Sequence, residues 1–257
     1  MDWEQPEAVL DRVAQLGEPT AEFAVGKTRL MRNLVSAIVL TVVGIGIIAL
    51  AFFLGLAHVH LWKIYILGPL LLLAGIMLVV RAYRNLGLYV LVFPEGVVRV
   101  RRGDVQAFFW EEITKLWQKR NAFNWAYAFH GALVFAVQRA DGGGVSFDDS
   151  LPELRELGQI LQRETLLHLL PKALDAYDAG HTVDFGKVRM SQRGLGQEAD
   201  SLSWREVKSI LLNESELTVF KKSKWGHWLH TSVSEVPNFH VLRALIEQRS
   251  PVKPTAK

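Results

Sequence analysis

Residues 34–56 read LVSAIVLTVVGIGIIALAFFLGL, twenty-three consecutive positions without an ionisable side chain. At about 1.5 Å of rise per residue, a helix of this length covers a hydrocarbon core of ~30 Å, so the stretch predicts a transmembrane span. Residues 62–80, WKIYILGPLLLLAGIMLVV, predict a second. The sole charge there, Lys63, stands at the start beside Trp62 and Tyr65, where a long ammonium side chain snorkels to the interface. Only Ala57-His58-Val59-His60 and Leu61 separate the two stretches, so they are expected to return as an antiparallel hairpin over 34–81. Gly44, Gly46 and Ala51 would allow close approach and Pro69 would bend the second helix.

Charge orients this hairpin. Lys27, Arg29 and Arg32 precede the first stretch, and Arg81, Arg84, Arg99, Arg101 and Arg102 follow the second. The connecting loop has only Lys63 and two histidines, so both termini are expected in the cytoplasm of a two-span, multi-pass protein of the cell membrane. The amino-terminal segment 1–33 carries acids before any base and has no apolar core, which excludes a cleavable secretory signal.

Composition agrees with partial immersion in lipid: half of the 257 residues are hydrophobic, and the mean hydropathy is positive. A net charge of +3 is too small to indicate nucleic acid as a partner. The absence of cysteine removes disulfides, thiolate metal sites and cysteine nucleophiles together.

After Gly87 the pattern changes to short apolar runs separated by turns. LYVLVF, VVRVRR, VQAFFW, ITKLWQ, ALVFAVQ and VSF read as antiparallel strands, punctuated by PEG, RGD and DGGG. A helix is predicted from about Pro152, capped by Asp149 or Ser150, with Leu154, Leu157, Ile160 and Leu161 at helical spacing. The second half repeats the order: TVDF, KVRMS, SLSW, VKSILL, LTVFKK and WLHTSV, then a helix from about Pro237. Trp110-Glu111-Glu112-Ile113 matches Trp204-Arg205-Glu206-Val207, while Leu154, Leu157, Ile160 and Leu161 match Phe239, Leu242, Leu245 and Ile246. These offsets are 94 residues at the tryptophans and 85 at Pro152 and Pro237. Two units follow, 86–168 and 180–250, joined by LLHLLPKALDAYDAG, a segment expected to extend the first helix and break at Pro171.

The strand order, the W-x-E-[IV] step and the closing helix after a proline resemble the bacterial pleckstrin-homology-like domains, small partly open barrels plugged by a carboxy-terminal helix. LGEPTAEF, two apolar stretches, GLYVLVFPEGVVR and WEEI are similar to an uncharacterised bacterial family of two-span membrane proteins. The fold class this implies is a membrane α-helical hairpin plus an α+β soluble region of two tandem barrels, each closed by its helix. It implies a place at the inner membrane and carries over no activity.

Side chains capable of chemistry are scattered. Gly26-Lys27-Thr28 echoes a phosphate-binding loop, but Ala21 stands where that loop needs glycine. His58 and His60 lack a third metal ligand, and His227 and His230 lack neighbouring Asp or Cys. Strand alternation would turn Glu111 and Glu112 to opposite faces, so they form no acid/base pair. Ser146 and Ser150 have no histidine placed by a motif. No catalytic residue, metal or cofactor is expected, and the chain reads as a non-enzyme.

The most informative surface is Lys221-Lys222-Ser223-Lys224-Trp225-Gly226-His227-Trp228, a hairpin tip mixing cations with two tryptophans. Such a tip suits an anionic bilayer, and its bland counterpart is a solvated turn with Trp225 or Trp228 folded into the core. Arg99 and Arg101, on one face of a strand, form a second patch. The function expected is a membrane-anchored binding module that recognises lipid headgroups or another envelope protein. The alternative is a structural subunit of a membrane complex.

Overall fold

The computed structural model describes residues 11–53, 62–84, 87–121, 132–197, 200–223 and 225–256. The loop holding His58 and His60 lies outside them. The chain divides into two compact units: Met1–Pro94, Val98–Ala107 and Ser150–Pro152 form one, and Glu95–Val97, Phe108–Asp149 and Glu153–Lys257 form the other.

The first unit holds helices α1 (Lys27–Phe53) and α2 (Trp62–Arg84) and most of an antiparallel sheet. Its strands are β1 (Ala21–Ala24), β2 (Tyr89–Phe93), β3 (Gly96–Arg101) and β4 (Asp104–Phe109), in that order. Alternation sends Phe23, Val90, Val92, Val98 and Val100 into its core. The helices approach through glycines. A methyl at Gly44 would come within 2.8 Å of the Leu72 nitrogen, and one at Gly75 would run into Thr41. Gly46, by contrast, has nothing within 4 Å of that position.

The expected two-span hairpin is not found. One helix alone among the described residues is long and apolar enough to cross a membrane: Leu34–Phe53, 20 residues. The apolar part of α2 is the shorter Ile66–Val80, a stretch of about 22 Å at the rise of an α-helix, against a core of ~30 Å. The sequence reading counted Trp62 to Tyr65 into a span whose continuous apolar run starts only at Ile66.

The expected closed barrels are absent too. Among the described residues the strands form four separate sheets, none closed on itself. The second unit holds three of them. One is β5 (Ile113–Asn121), β6 (Ala132–Arg139) and β7 (Gly144–Asp148); another, in spatial order β11-β10-β9-β8, is β8 (Val183–Phe185), β9 (Val188–Ser191), β10 (Gly194–Gln197) and β11 (Asp200–Ser203). The last, in order β14-β13-β12-β15, is β12 (Val207–Leu212), β13 (Glu216–Lys221), β14 (His227–Ser232) and the two-residue β15 (Thr255–Ala256), parallel to β12.

Two helices belong to this unit, α3 (Leu154–Asp178) and α4 (Phe239–Arg249). Helix α3 starts after the predicted caps, with Glu153 at the cap position making no side-chain bond there. It then runs through Pro171 without breaking. Gly158 lies under the Phe135 ring of β6, where no side chain would fit. Further along, Ala173 and Tyr177 enter a second core with Met190, Leu195, Leu202, Ile210, Leu217, Leu242 and Leu245. One helix therefore serves two cores, the second of which it shares with α4.

The two Trp-x-Glu steps share local geometry. The backbone N–H of each tryptophan donates to a turn carbonyl, Trp110 to Glu95 at 3.0 Å and Trp204 to Arg193 at 3.2 Å. Each step leads into a strand with a shifted register, between Ile113 and Lys115 and between Val207 and Ser209. Trp110–Glu112 is a turn of 3-10 helix, so the alternation argument for Glu111 and Glu112 does not apply.

Asn238, left-handed at φ 54° and ψ 35°, ties α4 to β5. Its N–H donates to the Leu116 carbonyl at 2.8 Å, its Oδ1 accepts from the Leu116 N–H at 2.8 Å, and its Nδ2 donates to the Thr114 carbonyl at 2.7 Å. Next to it, His240 Nε2 meets Thr165 Oγ1 at 2.9 Å. The Thr165 hydroxyl itself donates to the Leu161 carbonyl, so its oxygen accepts from a neutral imidazole. Burial pushes the His240 pKa down to about 4.

Two outcomes follow for stability. Asn238→Ala removes two side-chain hydrogen bonds and leaves a Cβ residue in the left-handed region, at a cost of about 2–3 kcal/mol; Asn238→Gly loses less, because glycine adopts that φ freely. Denaturant unfolding of the full chain measures both. The unfolded chain takes up the His240 proton near 6.5 and the folded chain only near about 4. The contribution of the neutral His240 to stability is thus complete above pH 6.5, falls by about 3 kcal/mol as pH drops towards 4, and changes no further below. In His240→Phe this part of the pH dependence disappears.

Candidate functional site

The predicted tip is the turn between β13 and β14. Leu217 and Val219 point into the core, while the register shifts between Val219 and Phe220 and so frees the end of the hairpin. Trp225 is 102 % exposed, and Lys222, three residues earlier in the same turn, is also exposed. The other predicted residues behave differently. Lys221 Nζ is 3.0 Å from Glu206 Oε1, and that ammonium holds the Glu206 carboxyl below its usual range. Trp228 is 8 % exposed; its indole N–H donates to Asp200 Oδ2 at 2.9 Å. Lys224 lies outside the described residues. Arg99 and Arg101 belong to the first unit, half-buried in β3 and engaged in contacts of their own.

The tip is thus rooted by its base. The Lys222 N–H donates to the Glu206 carbonyl at 2.8 Å, and Gln197 Nε2 donates to the Trp228 carbonyl at 3.3 Å. One tryptophan holds the hairpin to the body and the other stands in solvent. An exposed tryptophan in a turn that also exposes a lysine is what an interfacial anchor presents before it meets a bilayer.

A second feature escaped the sequence reading. The sheet β8–β11 has an inner row, Met190, Leu195 and Leu202, that is at most 1 % exposed. Its outer face carries small side chains. Register places Arg189, Gly196 and Ser201 in one line and Ser191, Gly194 and Ser203 in the next. The face is therefore hollow, a groove of about 690 Å³ rimmed by Thr182, Arg193 and Arg205. A methyl on Gly196 would lie 3.5 Å from Arg189 Nε, so the Arg189 side chain crosses the glycine. Gln192 Nε2 donates to the Tyr177 and Asp178 carbonyls at 2.9 and 3.1 Å, fixing the turn that bears Arg193. The Trp204 indole donates to the Ser191 carbonyl at 3.1 Å, beside Arg205. The signal in the sequence was small residues at alternate positions of SQRGLGQEADSLS, a stretch in which β10 went unrecognised.

Among the described residues, no group of three or more His, Cys, Asp or Glu could hold a metal ion. His227 and His230 have ring centroids 5.4 Å apart on the exposed side of β14.

The chain belongs to a family of unknown function, DUF6585, whose model matches residues 4–254. None of the curated proteins matches it.

The two tryptophans should separate on substitution. Trp228→Ala opens a cavity and leaves Asp200 Oδ2 without the indole donor, a loss of about 3–5 kcal/mol. Trp225→Ala changes stability by no more than about 0.5 kcal/mol, as for an exposed side chain. Urea unfolding of the two variants checks this; a large loss in Trp225→Ala would mean that Trp225 is packed.

Proposed function

We propose that this chain is a membrane-anchored, non-enzymatic binding module that meets anionic lipid headgroups through the β13–β14 tip. The carrying observation is that Trp225 and Lys222, three residues apart in one turn, are both exposed, on a hairpin whose base is bonded to Glu206 and Asp200. A cation near an anionic surface is worth ~1 kcal/mol and an indole prefers the interface. The anchor is the Leu34–Phe53 segment of α1, apolar and mostly exposed. Anchoring raises the effective concentration of the tip at a bilayer, so that contacts too weak to recruit a free protein are still occupied.

A second reading, an assembly subunit of a membrane complex, draws support from the open face at Gly46, which offers room for a partner helix. Gly44, by contrast, is already packed on α2. Gly46→Leu would displace the chain from such a complex.

The test uses the full chain in lipid nanodiscs, with an environment-sensitive fluorophore on Ser223→Cys, the chain's sole cysteine. Its emission should shift to the blue in discs containing phosphatidylserine relative to phosphatidylcholine alone. High salt, Lys222→Glu or Trp225→Ala should reverse the shift. Identical emission in both lipids would remove the headgroup reading.

A further inference from the structure

We infer that the groove on the outer face of the β8–β11 sheet is a binding site for a phosphate-bearing ligand. The inference concerns a surface separate from the exposed tryptophan and holds whether or not the tip touches a bilayer.

Three guanidinium groups, of Arg189, Arg193 and Arg205, line one concavity, and Thr182, Ser191, Ser201 and Ser203 line it with them. Among the described residues, no carboxylate lines it. Guanidinium carries its charge at any physiological pH and offers a planar fork of donors that matches phosphate oxygens two at a time. Hydroxyls complete such a shell by donating to the remaining oxygens.

Among the described residues, three acids stand near the groove, each with a partner. Asp200 accepts from the Ser201 N–H through Oδ1 and from the Trp228 indole through Oδ2. Glu206 is paired with Lys221. Asp184 stands opposite Arg189 in the register of β8 and β9 and accepts from the Gly186 N–H. Granting Asp184 to Arg189, the groove retains the charges of Arg193 and Arg205, both exposed and both on turns anchored by hydrogen bonds.

Its shape supports the same occupant. Gly196 keeps the floor open, and a side chain at Gly194 would run into the Leu202 carbonyl, so the central strand lies close under the groove. The space suits a group larger than a single ion, such as a diphosphate or a phosphorylated headgroup.

A fluorophore on Thr182→Cys at the rim of the full chain reads occupancy from either source of phosphate. Inorganic pyrophosphate is titrated into protein held in phosphatidylcholine discs, and a second sample is assembled in discs containing phosphatidic acid. Saturable change with pyrophosphate, weakened about tenfold by Arg193→Gln or Arg205→Gln, supports the site with a soluble ligand. An arginine-dependent change only in phosphatidic acid discs supports it with a lipid ligand. Gly196→Glu, which fills the floor with a carboxylate, should abolish either response, while Trp225→Ala should leave the pyrophosphate response intact. No change in either arm, or changes indifferent to the arginine and Gly196 variants in a protein of unaltered circular dichroism, would overturn the inference. Loss of the lipid response of the tip alone would not.

Discussion

The second unit depends on one asparagine placed against one strand edge. β5 is an outer strand of its sheet, and an uncovered edge exposes a row of backbone donors and acceptors that must find partners or water. Asn238 supplies them with its backbone N–H and both ends of its side-chain amide. Holding that geometry requires a positive φ, a conformation asparagine tolerates better than most residues. Because Asn238 also begins α4, whose Val241, Leu242, Leu245 and Ile246 are buried in the second core, the register of β5 and the seating of that helix are set together. Helix α3 makes a parallel link, since its first turns hold Phe135 and its last turns belong to the core of Leu195 and Leu217.

These links explain which expectations failed. Strand positions were legible, because runs such as LYVLVF and VKSILL alternate at the period of a pleated sheet and are bounded by turns. What alternation does not carry is how strands group. A chain of similar strand order can close two barrels or lay down four open sheets, and the difference resides in single contacts such as Asn238 to Leu116, 122 residues apart. Pro171 also misled, since a proline that interrupts a hydrogen bond does not end a helix held on both sides by core contacts. At the amino-terminal helices the error was one of length: aromatic and basic residues at Trp62 to Tyr65 were counted as span.

The surface was half legible. A cationic, tryptophan-bearing turn was visible as such, yet two indoles three residues apart have opposite fates, which only the partner at Asp200 decides. The groove was invisible because its informative residues are the small ones. A glycine or serine in a strand reads as weak β-propensity, and its meaning as a hollow emerges only when three strands align Ser191, Gly194, Gly196, Ser201 and Ser203 on one face.

Pro171 has no N–H, so the carbonyl of Leu167, four residues earlier in α3, has no backbone donor to meet it, and Leu167 lies on the exposed side of the helix. Water can bind there in the middle of a rod that joins two cores. Amide exchange along α3 then need not be uniform: the turns around Gly158 open with the β5–β7 sheet, those around Tyr177 open with the Met190 core, and the proline is where one cooperative segment gives way to the next.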